Sequence, residues 1–297
     1  MTSFRVLVTG SSGFMGRIVV QRLLAKGHEV IGLDPAPALA ETCRRIDDDL
    51  SDPARLQAHL AAERPTHIIH TGGVSGPMVL PDHPDRVMAI NVTGTMHLLL
   101  AALNSGAKTF VYCSSVSAVG DFYEDKPIGE DYPLRPTTAY GCSKAAVDMA
   151  LRGLWGKVGL DLCSLRFTGI YGPNRQTSFV IDDIVAAAVE DRKARVAPTT
   201  DWPYIYIDDA AEAAVAACLS RQRRRLIYYV AYPEQVSLDD IAAAAGLETL
   251  EIDSSQPHAM RGPVDIGPAI GDFGFSPKVD HREGIRRMLA ARTAGKI

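Results

Sequence analysis

Tyr140 and Lys144 are the residues of this 297-residue chain best placed to move a proton together. In the run Tyr140-Gly141-Cys142-Ser143-Lys144 they share one face of a helix expected from about Thr138 to Trp155. A free phenol titrates near pH ~10. A neighbouring ammonium, joined by an oxidised nicotinamide, favours the phenolate and lowers that value toward the working range. The phenolate then takes the hydroxyl proton of an alcohol as hydride leaves the carbon. Ordinary helix faces show the same spacing, so a second feature matters. Cys113-Ser114-Ser115 closes the expected strand Thr109 to Tyr112. Ligands of parallel sheets bind beyond such carboxyl ends, and a serine hydroxyl there can hold the substrate oxygen beside the tyrosine.

A place for a dinucleotide lies near the amino terminus. Thr9-Gly10-Ser11-Ser12-Gly13-Phe14-Met15-Gly16 joins a strand, Phe4 to Val8, to a helix from Met15 to Lys26. Glycines let the backbone turn sharply and approach a pyrophosphate, whose charge meets the amides and dipole of the helix start. Tight turns also select glycine, but this position, after a strand and before a helix, is the one the mechanism requires. Asp34 ends the second strand, Glu29 to Leu33. A carboxylate there accepts hydrogen bonds from the adenosine ribose and repels the extra phosphate of NADP, and no arginine adjoins it. NAD is the expected cofactor. The plainer alternative is an aspartate that starts a turn before Pro35.

Short β-branched runs alternate with longer helical patterns along the chain, the mark of a parallel sheet covered on both faces. Further strands are expected at Arg45 to Asp47, His67 to Ile69 and Asp161 to Phe167, with helices opening near Pro53 and spanning Val87 to Leu103. After Gly172 come helices near Phe179 to Val189, Asp208 to Leu219 and Arg282 to Ala291, and a strand Tyr204 to Ile207. A Pro- and Gly-rich surface excursion is expected from Pro257 to Pro277. The fold class is α/β: a Rossmann-type doubly wound parallel sheet over 1–172, with a smaller α/β substrate lobe over 173–297 that partly shares its elements.

The 31 Lys plus Arg against 35 Asp plus Glu leave a net charge of −4, with no basic footprint for nucleic acid. The run Arg221 to Arg225 reads as a solvated helix end. Five cysteines without zinc or redox spacing suit a reducing cytosol, and eight histidines show no helical metal pair. The uncharged stretch Val87 to Ala107 is interrupted by Asn91, Thr93, Thr95, His97, Asn104 and Ser105, which fits a buried helix and no membrane span. No signal-peptide pattern precedes the first strand. A soluble cytoplasmic protein is expected.

These features follow one another in a fixed order. Thr9-Gly10 through Gly16, Asp34, Asp49-Leu50, Asn91-Val92-Thr93-Gly94-Thr95, Ser114-Ser115 and Tyr140 to Lys144 come first. Leu165-Arg166-Phe167, Tyr171-Gly172-Pro173 and Tyr204-Ile205-Tyr206-Ile207-Asp208-Asp209 come after. In this combination the chain resembles the extended short-chain dehydrogenase/reductase superfamily, specifically the NAD-dependent epimerase/dehydratase family. The resemblance spans nearly the whole chain and weakens after about residue 230.

The resemblance implies that Tyr140 is the general base or acid. It implies that Lys144 tunes Tyr140 and grips the nicotinamide ribose, and that Ser115 polarises the substrate. Gly10, Ser12, Gly13, Phe14, Met15, Gly16 and Asp34 would hold NAD, with Asp49 and Leu50 flanking the adenine. Thr71-Gly72-Gly73 would lie beside the phosphates and ribose, with Phe167 and Ile170 completing the cofactor site. Asn91 resembles the family's buried asparagine that steadies the active-site backbone and water. Asp208 reads more simply as a helix cap. Family members often dimerise through the helices carrying the Asn91 and Tyr140 motifs. Met88, Leu98 to Leu100, Met149 and Leu151 provide apolar surface for such a homodimer, or for simple packing on the sheet.

Departures from the family pattern bear on the substrate. Dehydratases carry an acidic residue just after the polarising hydroxyl, where this chain has Val116 and Ser117, so a 4,6-dehydratase is not expected. Nucleotide-sugar epimerases have a diphosphate-binding asparagine at the position of Gly169 and a phosphate-binding arginine at that of Trp202. Losing a bidentate phosphate ligand argues against a diphosphate in the pocket. The expected substrate is a small free sugar, sugar acid, lactone or hydroxy acid. Arg175 and Arg261 are candidates for a carboxylate or ring oxygens, though each also reads as a surface arginine. Trp202 can stack on a sugar face or serve as core, and Ser75, Thr168 and Ser178 offer hydroxyls. A dehydrogenase is the leading expectation. An epimerase that recycles its hydride uses the same residues, and a non-catalytic NAD sensor would usually have lost the tyrosine or lysine.

Overall fold

The computed structural model describes residues 3–37, 43–256 and 258–295. The first strands are β1 (Arg5–Thr9), β2 (Glu29–Leu33), β3 (Arg44–Ile46), β4 (His67–His70), β5 (Thr109–Ser115) and β6 (Asp161–Phe167). Between them run α1 (Gly16–Ala25), α2 (Pro53–Glu63), α3 (Pro84–Met88), α4 (Gly94–Ser105) and α5 (Ala139–Leu154), with a π turn at Ala89–Thr93 joining α3 to α4. The remaining chain forms β7 (Ile170–Tyr171), α6 (Val180–Val189), β8 (Ala194–Val196), β9 (Ile205–Tyr206), α7 (Ile207–Leu219) and β10 (Ile227–Val230). It ends with α8 (Leu238–Ala245), β11 (Leu250–Ile252), α9 (Gly267–Phe273) and α10 (His281–Thr293).

Seven strands pair in parallel in the order β10-β6-β5-β4-β1-β2-β3, while β7–β9 and β8–β11 form two small parallel pairs. The winding reverses between β1 and β4, which opens a crevice beyond their carboxyl ends. Strands β4, β5 and β10 are buried along their whole length, as strands covered on both faces are. Along β1 the side chains alternate: Val6 and Val8 enter a core with Val19 and Leu23, and Leu7 enters the opposite core with Leu56 and Leu98. The chain beyond Gly172 returns to this sheet, for β10 pairs with β6 and α7 packs on α1, β4 and β5.

Several expectations need correction. The segment 258–277 is no surface excursion: Val264, Ile266, Ala269 and Phe275 are buried, and bridges tie Ala259 to Thr199 and Val264 to Ile128. Pro257 lies outside the described residues. The basic run is only partly solvated. Arg223 is buried against Asp161, Arg224 pairs with Asp272 and Arg225 with Glu130. Asp208 does not cap α7 but pairs with Arg22 and Arg287, while its neighbour Asp209 accepts the Lys278 and Val279 amides. The run Pro84–Ser105 is long and apolar enough to cross a membrane, yet 44% of its most apolar stretch is buried inside the protein.

One buried ion pair locks α5 to the sheet. Asp148 on α5 accepts the Arg166 Nε–H of β6 at 2.8 Å and the Ser164 hydroxyl at 2.6 Å. Arg166 also donates to Tyr229 of β10 at 3.2 Å. Both charged side chains are 1% exposed. Removing one partner leaves the other charge buried and uncompensated, so Asp148→Ala is expected to cost about 3–5 kcal/mol in urea unfolding.

Candidate active site

Gly10 follows β1 with φ +66°, and a Cβ there would lie 2.6 Å from the Cα of Gly72 beyond β4. Backbone therefore meets backbone across the crevice, which only glycine permits. Gly13 then donates to the Gly10 carbonyl at 3.0 Å, and α1 starts at Gly16 with no capping side chain and no acidic residue in its first turn. The Arg17 and Ile18 amides already donate to the Gly13 and Met15 carbonyls at 3.2 and 3.1 Å, so an anion would be met by the amides that precede them. Asp34, buried at the end of β2, accepts the Ser12 amide at 2.9 Å and the Ala36 amide at 2.8 Å. These features fit the pyrophosphate and ribose of a dinucleotide.

An arginine does adjoin Asp34, contrary to expectation. Arg45 sits on β3, one strand over, opposite Gly32. It donates to the Asp34 and Ala36 carbonyls at 3.1 and 2.7 Å and to the Ser12 hydroxyl at 2.8 Å, while Asp47 neutralises it. Asp49 lies exposed, its carboxylate accepting the Ser51 amide and hydroxyl, and Leu50 packs under Gly94. Thr71 donates its hydroxyl to the Thr9 carbonyl at 2.7 Å.

Thr138 caps α5 by accepting the Gly141 amide at 3.0 Å, which puts Tyr140 in the first turn. Ser115 closes β5, and its hydroxyl accepts the Ser117 amide at 3.1 Å. Lys144 is buried; its Nζ donates to the Cys113 carbonyl at 2.8 Å and lies 5.7 Å from the Tyr140 ring centre. Burial pulls the lysine down to about 8. Burial also raises the Tyr140 phenol above its ordinary value, against a hydrogen bond with Ser115 and the charge of Arg175. The lowering expected from Lys144 is not seen in the protein alone, where Ser115 and Arg175 are the groups that oppose the burial. Asn91 accepts the Val74 amide at 2.7 Å and donates to Ser143 at 2.9 Å, bringing α5 and the loop after β4 together.

On the substrate side the residues behave unequally. Arg175 is no surface arginine: its side chain is 12% exposed, it donates to the Ile170 carbonyl at 2.6 Å, and it stacks 4.3 Å over Phe179. Arg17 holds the surrounding loop to α1 through the Pro173 carbonyl at 2.9 Å. Beside Arg175, Asp182 is pushed up to about 6 by burial. Gly169 is walled in, for a Cβ there would meet Tyr204 at 2.8 Å, Phe179 at 2.9 Å and Trp202 at 3.2 Å. Arg261 pairs with Asp121 and lies 5.1 Å over the Trp202 ring. Thr168 offers no open hydroxyl; it donates to the Pro203 carbonyl at 2.5 Å. Ser75 and Ser178 are exposed on loops, Phe167 is buried, and Ile170 is half-buried. Arg45, Ser143, Phe179 and Asp182 escaped the sequence reading. Only Ser143, inside the Tyr140 motif, carried a local signal.

If Asp34 selects against the extra phosphate while Arg45 stands ready beside it, Asp34→Ser should narrow the preference for NAD over NADP. A loss of about tenfold or more in NAD affinity corresponds to charge-assisted bonds worth about 1.5–3 kcal/mol. Calorimetric titration of both dinucleotides measures it.

A family model of the NAD dependent epimerase/dehydratase family matches residues 6–231. The UDP-glucose 4-epimerase of Mycolicibacterium smegmatis is 30% identical over 230 residues, 72% of each chain. The uronate dehydrogenase of Pseudomonas putida is 31% identical over 167 residues, 54% of this chain and 59% of that protein. The UDP-glucose 4-epimerase of Thermus thermophilus, crystallised with NAD, superposes with a TM-score of 0.85 at 27% identity, covering 99% of this chain and 100% of that one. With its glycine crevice, Asp34, Ser115 and the Tyr140–Lys144 pair on one parallel sheet, this chain is an NAD-dependent enzyme and belongs to the NAD dependent epimerase/dehydratase family.

Proposed function

We propose that the protein is a dehydrogenase oxidising a secondary alcohol of a small sugar, sugar acid or related hydroxy compound. The packing at Gly169 carries this reading. Phe179, Trp202 and Tyr204 fill the space in which an asparagine would reach a diphosphate, and Trp202 stands where an arginine would pair with phosphate. Arg261 is held by Asp121 and the indole. Arg175 is left as the cation whose charge reaches Tyr140, and it suits a carboxylate or ring oxygens.

Bound NAD supplies the hydride acceptor, with Gly10, Ser12, Gly13, Phe14, Met15, Gly16 and Asp34 holding its adenosine diphosphate half. Asp49 and Leu50 flank the adenine, and Thr71, Gly72, Gly73, Phe167 and Ile170 line the remainder. Ser115 orients the substrate hydroxyl. Tyr140 takes its proton, and Lys144 favours the phenolate and grips the ribose. Tyr140→Phe is expected to lower turnover about 10²- to 10⁴-fold with NAD binding intact. Undiminished turnover would remove Tyr140 from the proton transfer.

The likeness to UDP-glucose 4-epimerases favours a second reading, in which hydride returns to the other face of the sugar. Nucleotides released by denaturing fresh protein separate the two. Stoichiometric NAD, or a co-released nucleotide sugar, supports the epimerase. Protein that arrives empty and forms NADH with sugar acids or free sugars supports the dehydrogenase.

We further infer a cytoplasmic homodimer formed through α3, α4 and α5. Leu98, Leu99 and Leu151 are core residues, but Met88, Ile90, Leu100 and Met149 remain exposed. Their burial against a second copy would remove exposed apolar surface from water. Leu100→Glu with Met149→Lys is expected to halve the mass seen by sedimentation equilibrium; an unchanged mass would place any interface elsewhere.

A further inference from the structure

His70 is a buried histidine without a part in the proton transfer. It ends β4 opposite Thr9 of β1 and is 1% exposed. Both ring nitrogens are engaged: Nδ1 with the Thr9 hydroxyl at 2.6 Å and Nε2 with the Thr95 hydroxyl at 2.8 Å. The hydroxyls set the direction. Thr95 gives its proton to the Asn91 carbonyl at 2.6 Å, so its oxygen accepts from Nε2–H. Nδ1 is then bare and accepts the Thr9 proton, while the Thr9 oxygen receives the Gly72 amide at 3.4 Å. Burial, aided by the Lys144 charge, brings the ring down to about 3, consistent with a neutral linker.

The chain of bonds continues on the other side. Asn91 lies in the π turn, where Gly94 donates to the Ala89 carbonyl and backbone partners shift by one residue. The Thr95 hydroxyl supplies a donor to the Asn91 carbonyl there. Asn91 Nδ2 donates to the Ser143 hydroxyl at 2.9 Å, and Ser143 donates to the Tyr140 carbonyl at 2.7 Å. One unbroken network thus joins Gly72, in contact with the glycine loop, to the residue that carries the phenol.

We propose that His70 is a positioning residue that holds the dinucleotide crevice and the catalytic helix in register, with one ring nitrogen serving each. Nδ1 secures the Thr9–Gly72 side. Nε2 secures the π turn, and through Asn91 and Ser143 the start of α5. The proposal rests on the glycine loop as the NAD site and on Tyr140 as the acid–base group, and its test uses neither turnover nor a known substrate.

His70→Asn keeps an acceptor near Nδ1 but cannot reach Thr95. His70→Gln keeps a donor near Nε2 but leaves Thr9 without an acceptor. Each variant is titrated with NAD by calorimetry, and the Tyr140 phenol is followed by NMR of ¹³Cζ-labelled tyrosine, assigned with Tyr140→Phe. His70→Asn should bind NAD as the parent does while the Tyr140 resonance moves. His70→Gln should weaken NAD about three- to tenfold, the worth of one hydrogen bond, with that resonance in place. Thr95→Val and Thr9→Val should reproduce the two patterns, and they replace a His70 variant that does not fold. The proposal is overturned if both losses move both readouts together, or if neither moves either. Failure of the parent protein to bind NAD would overturn the dinucleotide reading and this proposal with it. A later finding that Tyr140→Phe retains turnover would overturn the catalytic reading and, with it, the catalytic part of this proposal, leaving the measured coupling of His70 to the NAD crevice.

Discussion

The approach of Gly10 to Gly72 is the constraint on which the site depends. Strands β1 and β4 pair in register up to Thr9 and His70, so the loops leaving them must pass each other at backbone distance. A Cβ at Gly10 would push them apart. Because they touch, α1 starts beside the crevice with no side chain capping it, and the chain leaving β4 is carried toward Asn91 and α5. The glycine turn and the start of α5, the two parts of the proposed site, are therefore held in relation by one contact between neighbouring strands.

Around that contact most buried polar groups are paired, although the Ser11, Tyr112 and Ser114 hydroxyls are not. His70, Thr9 and Thr95 are buried, which is tolerable because each proton among them has one acceptor. Asp148 and Arg166 lie beneath α5 under the same rule, at higher stakes because both are charged. Lys144 is a charged exception. Its single strong bond to the Cys113 carbonyl leaves donors free, and burial makes its charge easier to lose. In the proposed reading, a bound ribose would take up those donors.

The substrate side follows a different logic. Its walls are aromatic; Arg261 is committed to Asp121, while Arg175 is held in place by the Ile170 and Thr177 carbonyls through Nη1 and Nε. Gly169 is small because Phe179, Trp202 and Tyr204 occupy its surroundings. Family members at about 30% identity include both epimerases and dehydrogenases, as expected when one proton-transfer apparatus is combined with differing walls.

Local pattern alone determined much here. The alternation of strand and helix, the glycine turn, Asp34, and the Tyr140–Lys144 spacing are read from residues a few positions apart, because helix geometry and turn sterics act at that range. Thr138 and Asp52 mark their helix starts for the same reason. Tertiary structure decided the rest. Arg45 meets Asp34 only because β3 lies beside β2, and His70 meets Thr95 only because α4 packs over β4. Arg175 is buried because Arg17 ties its loop to α1, and the segment 258–277 joins the core through bridges to distant chain. Such pairs are set by sheet order and loop docking, whose contacts are not encoded at any fixed spacing along the chain.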